Sequence, residues 1–499
     1  MKKTLLFLSL IAHLNLFAQK LNKLPESTLP TTETATHLRF LAADELMGRR
    51  TGEQGNWVAA RYIAEQFRAL GLKPVAAESS FLQKVPFKNT TPNTEGSLTV
   101  GDTTLKVLDD FIVVEGKAAD LKSLPVVFAG NGWVDGETDD YKGLDVKGKI
   151  VIVSLGSPKT QSPWEAMQSS DVKTKWASER GAAALIEIFT AKIPWKNVAR
   201  YFAGERLQLD MKKAGDPDIV MPHLWVSGNR ATLLGKDKVQ TLSLKTFDKK
   251  ETPVLSYNVA GVLEGSDPIL KNEYIILSAH FDHVGTGKNG GQAYTKEDSI
   301  FNGSRDNAFG CAAVLYAAKC LTQVKPKRSI LFLGFTGEEL GLLGSNYYAE
   351  NPLVPLKKCV YNLNCDGAGY SDTTLLTTFG LARTDCKTEL ETAAKAFGLK
   401  IIDDPAPEQG LFDRSDNVSF AAKGIPAPTF SPGFTAFDAT IFKYYHQATD
   451  NPETINFPYL HKYCQAYAHA ARLIANRKDQ PKWIANDKYE AAYKVLYGK

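Results

Sequence analysis

The sequence predicts an α/β protein, with a mixed, mainly parallel central sheet flanked by helices and interrupted by a smaller β-rich domain. Three observations predict it. The C-terminal half contains short continuous apolar runs, EYIILSA, RSILFLGF, CVYNLNC and IPAPTF, as expected of strands buried on both faces of a parallel sheet. Helical segments such as AFGCAAVLYAAKCLTQ and TELETAAKAFGL alternate with them, which is the pattern of a layered α/β domain. Finally, 499 residues are too many for one ordinary core, and the texture of the chain changes near residue 120.

The first twenty residues, MKKTLLFLSLIAHLNLFAQK, place Lys2 and Lys3 before a mostly apolar stretch, Leu5 to Phe17, with the small Ala18 following. This is the pattern of a secretory signal peptide over 1–18, and it is too short to span a bilayer, which takes about 20 apolar residues. Nothing later is long and apolar enough to cross a membrane, so an exported protein, periplasmic or secreted, with no stable membrane insertion is expected.

Residues 36–72 predict two helical pieces with a Gly-rich break. The second runs from about Asn56 to Leu70, with Val58, Ile63, Phe67 and Leu70 as its apolar stripe, and stops at Gly71. Residues 81–115 predict short strands. VVFAGNGWV and GKIVIVSLG are strand-like, and WASERGAAALIEIF reads as a helix running through Gly181 into another strand. The polar stretches Asn89 to Gly101 and Lys249 to Pro253 suit the crossings into and out of an inserted domain at 115–250. Residues 19–114 and 251–499 then form the main domain. Its closing helix, about Tyr459 to Asn476, carries Tyr463, Tyr467, Ala471 and Ile474 on one stripe.

Hydrophobic residues make up 43% and charged residues 23%, and the net charge is +4 with no concentrated basic block. That composition is globular and gives no sign of nucleic-acid binding. The six cysteines show no CxxC spacing. Export permits disulfides, but Cys359 and Cys365 cannot pair, because a strand separates its ends by roughly 20 Å at ~3.3 Å per residue.

Ligands of open α/β sheets gather at the carboxyl ends of strands, and the residues there form a consistent set. Strand 274–279 ends in His280, within SAHFDHVG. The segment NGSRDNAFG places Asp306 before a helix. Strand 329–335 runs into Thr-Gly-Glu-Glu, and strand 359–365 ends at Asp366. YYHQATDNP offers His446, with Asp450 four residues on. Each alone has an ordinary alternative, a core histidine, a helix cap or a turn. Together, two histidines and several carboxylates at strand ends are the mixed donor set that suits zinc. Glu338 and Glu339 are adjacent, so they point in different directions and cannot share one face.

HFDHVG, NGSRDNAFG, FTGEELGLLGS, NLNCDGAG and YYHQATD, in that order, resemble the zinc aminopeptidase/glutamate-carboxypeptidase family of co-catalytic metallopeptidases. LAADELMGRRTGEQG resembles that family's opening segment. DYKGLDVKGKIVIVSLG and ERGAAALIEI resemble a protease-associated domain. The resemblance implies a phosphorylase/hydrolase-like zinc-peptidase fold, a peptide substrate and two zinc ions per chain. It implies that His280 and Asp366 complete one zinc site and Glu339 and His446 the other, with Asp306 bridging. Glu338 would be the general base, and Asp282 would orient His280. Asp306-Asn307 falls where that family tends to have a cis peptide. Phe309 departs from the small residue common there, a change expected at the local pocket.

With that ligand set filled, His283 is expected to hydrogen-bond behind a ligand or face solvent, without touching metal. GLFDRSDNVSFAAKGIPAPTF is expected to line the substrate pocket, where Arg414, Ser415 and Asp416 either contact a peptide terminus or face solvent. The family majority, and the lack of an obvious arginine cluster for a terminal carboxylate, favour amino-end over carboxyl-end trimming. A metallo-β-lactamase-type HxHxDH motif fails because Ser278 stands at its first histidine. Glutaminyl cyclase and a non-catalytic binding protein fit the intact ligand set and the GEELGLLGS continuation less well.

Overall fold

The computed structural model describes residues 24–75, 79–160, 163–211, 220–236, 239–291 and 293–499. The expected signal segment lies outside them. No helix among the described residues is long and apolar enough to cross a membrane, and all six cysteines are free thiols.

The chain forms two units: the described part of 1–86 together with Leu255–Lys499, and Phe87–Val254. The insertion thus opens earlier than 115. The reason is pairing: Ser97–Val100, Thr103–Lys106 and Phe111–Glu115 join the sheet of the inserted unit rather than that of the main one.

The strands of the main sheet are β1 (Leu82–Thr91), β2 (Lys250–Leu263), β3 (Tyr274–His280), β4 (Ser329–Phe335), β5 (Cys359–Cys365), β6 (Leu375–Phe379), β7 (Lys400–Ile402) and β8 (Thr429–Pro432). They lie in the order β7-β6-β8-β5-β3-β4-β2-β1. The centre is parallel, β4 with β3, β3 with β5, and β5 with β8. Antiparallel neighbours flank it, β2 on β4 and β6 on β8. In β4, Ile330 and Phe332 face one apolar cluster while Leu331, Leu333 and Phe335 face another. Alternate residues point to opposite faces, so a strand covered on both sides must be apolar throughout.

IPAPTF becomes a strand only from Thr429. Pro426 and Pro428 have no N–H to give a ladder, although their carbonyls still accept from Asn362 and Asn364. Helix α1 (Gln54–Ala69) buries Ala59, Ala60, Ile63, Ala64 and Phe67. Val58, expected on that stripe, is 39% exposed, because one residue along a helix turns the side chain off the face. Helix α2 (Phe309–Gln323) is buried nearly all round and packs against α3 (Phe457–Ala475). Phe309 does not line the site cavity. Its ring lies 4.9 Å from that of Tyr463 in an edge contact, inside the core.

The inserted unit carries its own sheet, in the order 103–106, 97–100, 241–246, 119–128, 150–154, 184–189, 223–227, 111–115. Its helix Ser170–Glu179 stops before Gly181 rather than running through it. Gly181 has φ of 74°, a left-handed conformation that ends helices and that glycine takes without strain.

Candidate metal centre

The parallel strands β3, β4 and β5 release their chains at the same edge, and the expected residues meet there. His280 is the last residue of β3, Glu338 and Glu339 follow β4, and Asp366 follows β5. Asp306 comes from the loop before α2 and His446 from the loop before α3. All six line one cavity.

Asp306 stands between two histidines. Its Oδ1 is 3.3 Å from Nε2 of His280, and its Oδ2 is 3.1 Å from Nε2 of His446. Nε2 of His280 also lies 3.2 Å from Oδ1 of Asp366, and Nε2 of His446 lies 3.0 Å from Oε2 of Glu339. Two donor groups therefore share Asp306.

The loop that carries Asp306 is fixed by close approaches. A Cβ on Gly303 would fall 2.2 Å from the Asp306 carbonyl oxygen and 2.6 Å from the His283 ring. The Asp306–Asn307 peptide bond is cis. The Asn307 side chain donates to the Cys365 carbonyl at 2.9 Å and accepts from the Gly310 N–H at 3.0 Å.

Glu338 and Glu339 sit on a turn, and the next helix begins only at Leu343. Asp282 holds that turn. Its Oδ1 accepts from the Glu338 N–H at 3.1 Å, and its Oδ2 accepts from the Glu339 N–H at 3.4 Å and from the Thr51 hydroxyl at 3.0 Å. Its carboxylate lies 3.7 Å from Nδ1 of His280, so its stronger contacts are to the turn rather than to that imidazole. His283 is buried, and its Nδ1 is 2.6 Å from Oε1 of Glu339. Its Nε2 is buried with no partner among the described residues.

Electrostatics separates the two adjacent acids. Burial pushes both up. In Glu339 the imidazoles of His446 and His283 outweigh burial and Asp306, and hold it at about 2. In Glu338 burial wins, reinforced by Asp366 and Glu339, and the carboxyl is held well above its usual range. Burial lowers His446 and His280, yet the surrounding carboxylates raise His446 to about 10 and His280 well above its ordinary value. The cluster demands positive charge, and apart from Arg414 no Lys or Arg among the described residues lines the cavity. Imidazoles and carboxylates with surplus negative charge fit divalent cations.

Several supports were not anticipated from sequence. Nη1 of Arg305 is 2.6 Å from Oδ1 of Asp450, and the Arg305 N–H donates to Oδ2 at 2.7 Å. That pair ties the Asp306 loop to the His446 loop. The guanidinium also lies 3.6 Å over the Tyr444 ring. Asp450, noticed beside His446, was the available signal. Ser415 donates to Oδ2 of Asp366 at 2.5 Å, so it steadies a candidate ligand as well as lining the cavity. Asp416 neither faces solvent nor lines the cavity, and burial raises it to about 7.

Residues 258–471 match Peptidase family M28. The fold agrees with the aminopeptidase from Aneurinibacillus sp. strain AM-1, with a TM-score of 0.53 at 21% identity, covering 89% of this chain and 94% of that one. Over 68% of its length the chain is 26% identical to the protein named probable leucine aminopeptidase 2 of Aspergillus oryzae, and over 68% it is 25% identical to aminopeptidase YwaD of Bacillus subtilis. It spans 64% and 65% of the length of those two relatives. The M28 segment begins within β2 and contains all six cavity-lining candidates.

Proposed function

We propose that this chain is an exported zinc-dependent exopeptidase that releases amino-terminal residues, with two zinc ions per chain. One observation carries the reading: Asp306 is shared between a His280–Asp366 group and a Glu339–His446 group at the carboxyl ends of parallel strands. The M28 match and relatives named aminopeptidases support it. The leader-like 1–18 segment supports export, and the KGKIVIVSLG and ERGAAALIEI motifs support reading the inserted unit as a protease-associated domain.

His280 and Asp366 would hold one ion, Glu339 and His446 the other, and Asp306 both. Bound there, the two cations would lower the pKa of a water and polarise a peptide carbonyl. Glu338 accepts the proton of the attacking water on its carboxylate and returns it to the leaving amine. Asp282 fixes where both glutamates point by holding their N–H groups. Ser415 holds Asp366 in line.

The test uses decapeptides blocked at one end. The carboxyl-amidated peptide should be shortened from its amino end, the amino-acetylated one should resist, and chelation should abolish the shortening until zinc is restored. Shortening of the acetylated peptide from its carboxyl end would replace this reading with a carboxypeptidase one. Activity that survives chelation would remove the metal from it.

A further inference from the structure

The segment His280-Phe281-Asp282-His283 carries three polar side chains off the end of β3, and two of them already have parts to play. His280 is a candidate ligand, and Asp282 holds the N–H groups of Glu338 and Glu339. His283 is as buried as either, yet the mechanism above gives it no part. Burying an imidazole is costly unless its nitrogens are engaged. Its Nε2 has no partner among the described residues, so the polar role of the ring falls to Nδ1.

The ring is held from several sides. The His283 N–H donates to the Arg49 carbonyl at 3.3 Å. Gly303, whose own carbonyl accepts from Nη2 of Arg49 at 3.0 Å, lies so close that a Cβ there would fall 2.6 Å from Cγ and Cδ2 of the ring. The His446 ring stands edge-on to it, with centroids 5.5 Å apart. Fixed in this way, Nδ1 lies 2.6 Å from Oε1 of Glu339. A carboxylate oxygen only accepts, so Nδ1 carries the proton of this bond, which is short and charge-assisted. Oε2 of Glu339 has a different partner. It lies 3.0 Å from Nε2 of His446, which is itself 3.1 Å from Oδ2 of Asp306.

We propose that His283 is a positioning residue: by occupying Oε1 of Glu339 it leaves that carboxylate one oxygen for the second zinc ion, and a coordination position stays open there for water or substrate. This rests on the zinc reading above and deepens it. A carboxylate can meet a cation through one oxygen or both, and a catalytic zinc site keeps a position open. Hydrogen-bond partners behind ligating groups set which arrangement forms. The four residues 280–283 then serve both ions, with a ligand for one, an anchor for the Glu338–Glu339 turn, and the partner that turns Glu339 toward the other. The competing arrangement is direct ligation by His283. Donor atoms of His283, Asp306, Glu339 and His446 lie within 4.8 Å of one another, and four protein ligands would close the second site.

The test loads the full chain with cobalt(II), whose visible absorption weakens as its coordination number rises. His283→Leu removes the donor. His283→Phe does so while keeping a ring against Gly303, and serves should the leucine variant not fold. His283→Asn keeps an N–H near the place of Nδ1. In the leucine or phenylalanine variant both ions should still bind, with the absorption of the second weakened. Titrated against a chelator, that ion should bind on the order of 10- to 100-fold more weakly. His283→Asn should recover most of both properties. Absorption and affinity unchanged without the donor overturn the proposal. Loss of one whole equivalent of cobalt in His283→Asn as well as in His283→Leu overturns it too, by making His283 a ligand. A wild-type chain that takes up no second ion would instead count against the two-zinc reading, and would remove this inference with it.

Discussion

Glutamate and histidine are buried together in both units of this chain, with different outcomes. In the inserted unit, Oε1 of Glu187 accepts from the Ser170 hydroxyl at 2.5 Å and lies 2.8 Å from Nε2 of His223. The other oxygen meets the ammonium of Lys173. Lys173 also donates to the carbonyls of Ser154 and Gly156, at 2.8 and 3.1 Å. Nδ1 of His223 bonds the Thr174 hydroxyl at 2.9 Å. The cation is built into the chain and the cluster is closed. In the larger unit, Glu339 has His283 and His446 but no lysine among the described residues, and Asp306, Asp366 and Glu338 crowd the same cavity. A closed cluster fixes a fold. An open one recruits what it lacks, which makes it a site.

The largest effect that sharpens this contrast falls on the two adjacent glutamates. Glu338→Gln should retain bound zinc, measured by elemental analysis, and lose about 10²–10⁴-fold in kcat, the size of general acid–base catalysis. Glu339→Gln should lose zinc instead. Full turnover in Glu338→Gln, or stoichiometric zinc in Glu339→Gln, would reverse or dissolve the division between them.

In the inserted unit the same logic predicts a loss of stability, not of chemistry. Lys173 and Glu187 are both fully buried, and removing one partner of such a pair costs about 3–5 kcal/mol because the other charge is stranded. Lys173→Met should lower the denaturant midpoint of this unit accordingly. Lys173→Met with Glu187→Leu should recover much of the loss, since apolar replacement of both partners is often neutral. A single variant as stable as wild type would mean that the lysine is not the internal counter-charge.

The open cluster was more legible in the sequence than the closed one, for a physical reason. The candidate ligands at the sheet edge follow strands whose apolar runs are unmistakable, so His280 and Asp366 could be placed by where β3 and β5 end. The closed cluster is assembled from Ser170, Lys173 and Thr174 on a helix and from Glu187 and His223 on strands. No short motif joins them. Arg305–Asp450 was missed likewise, because its two members are far apart in the chain and meet only when their loops fold. The start of the inserted unit was placed late because strand pairing, not composition, decides which sheet 97–115 joins. Phe309 was expected to alter the local pocket because the motif it departs from has a small residue there, but the first turn of α2 directs its ring at Tyr463 instead.

The smallest effect, and the one that separates the clusters without changing substrate or metal, is acid stability. Burial raises Glu187, but His223 and Lys173 outweigh it and hold the folded carboxyl at about 2, against 4.5 when unfolded. A depressed carboxyl contributes its full stability above about pH 4.5 and loses it as pH falls toward 2, where the folded group finally protonates. Burial also lowers Lys173, but an amine stays protonated through acid, so of this pair only the glutamate adds to the slope in this window. Melting curves of the metal-free chain between pH 5 and 2.5 should show the inserted unit's transition falling steadily. Glu187→Gln, less stable at neutrality, should show a shallower fall, because it has no carboxylate left to protonate. Equal slopes for the two chains would mean that Glu187 is not held by its lysine and histidine, and the contrast with Glu339 would lose its closed member.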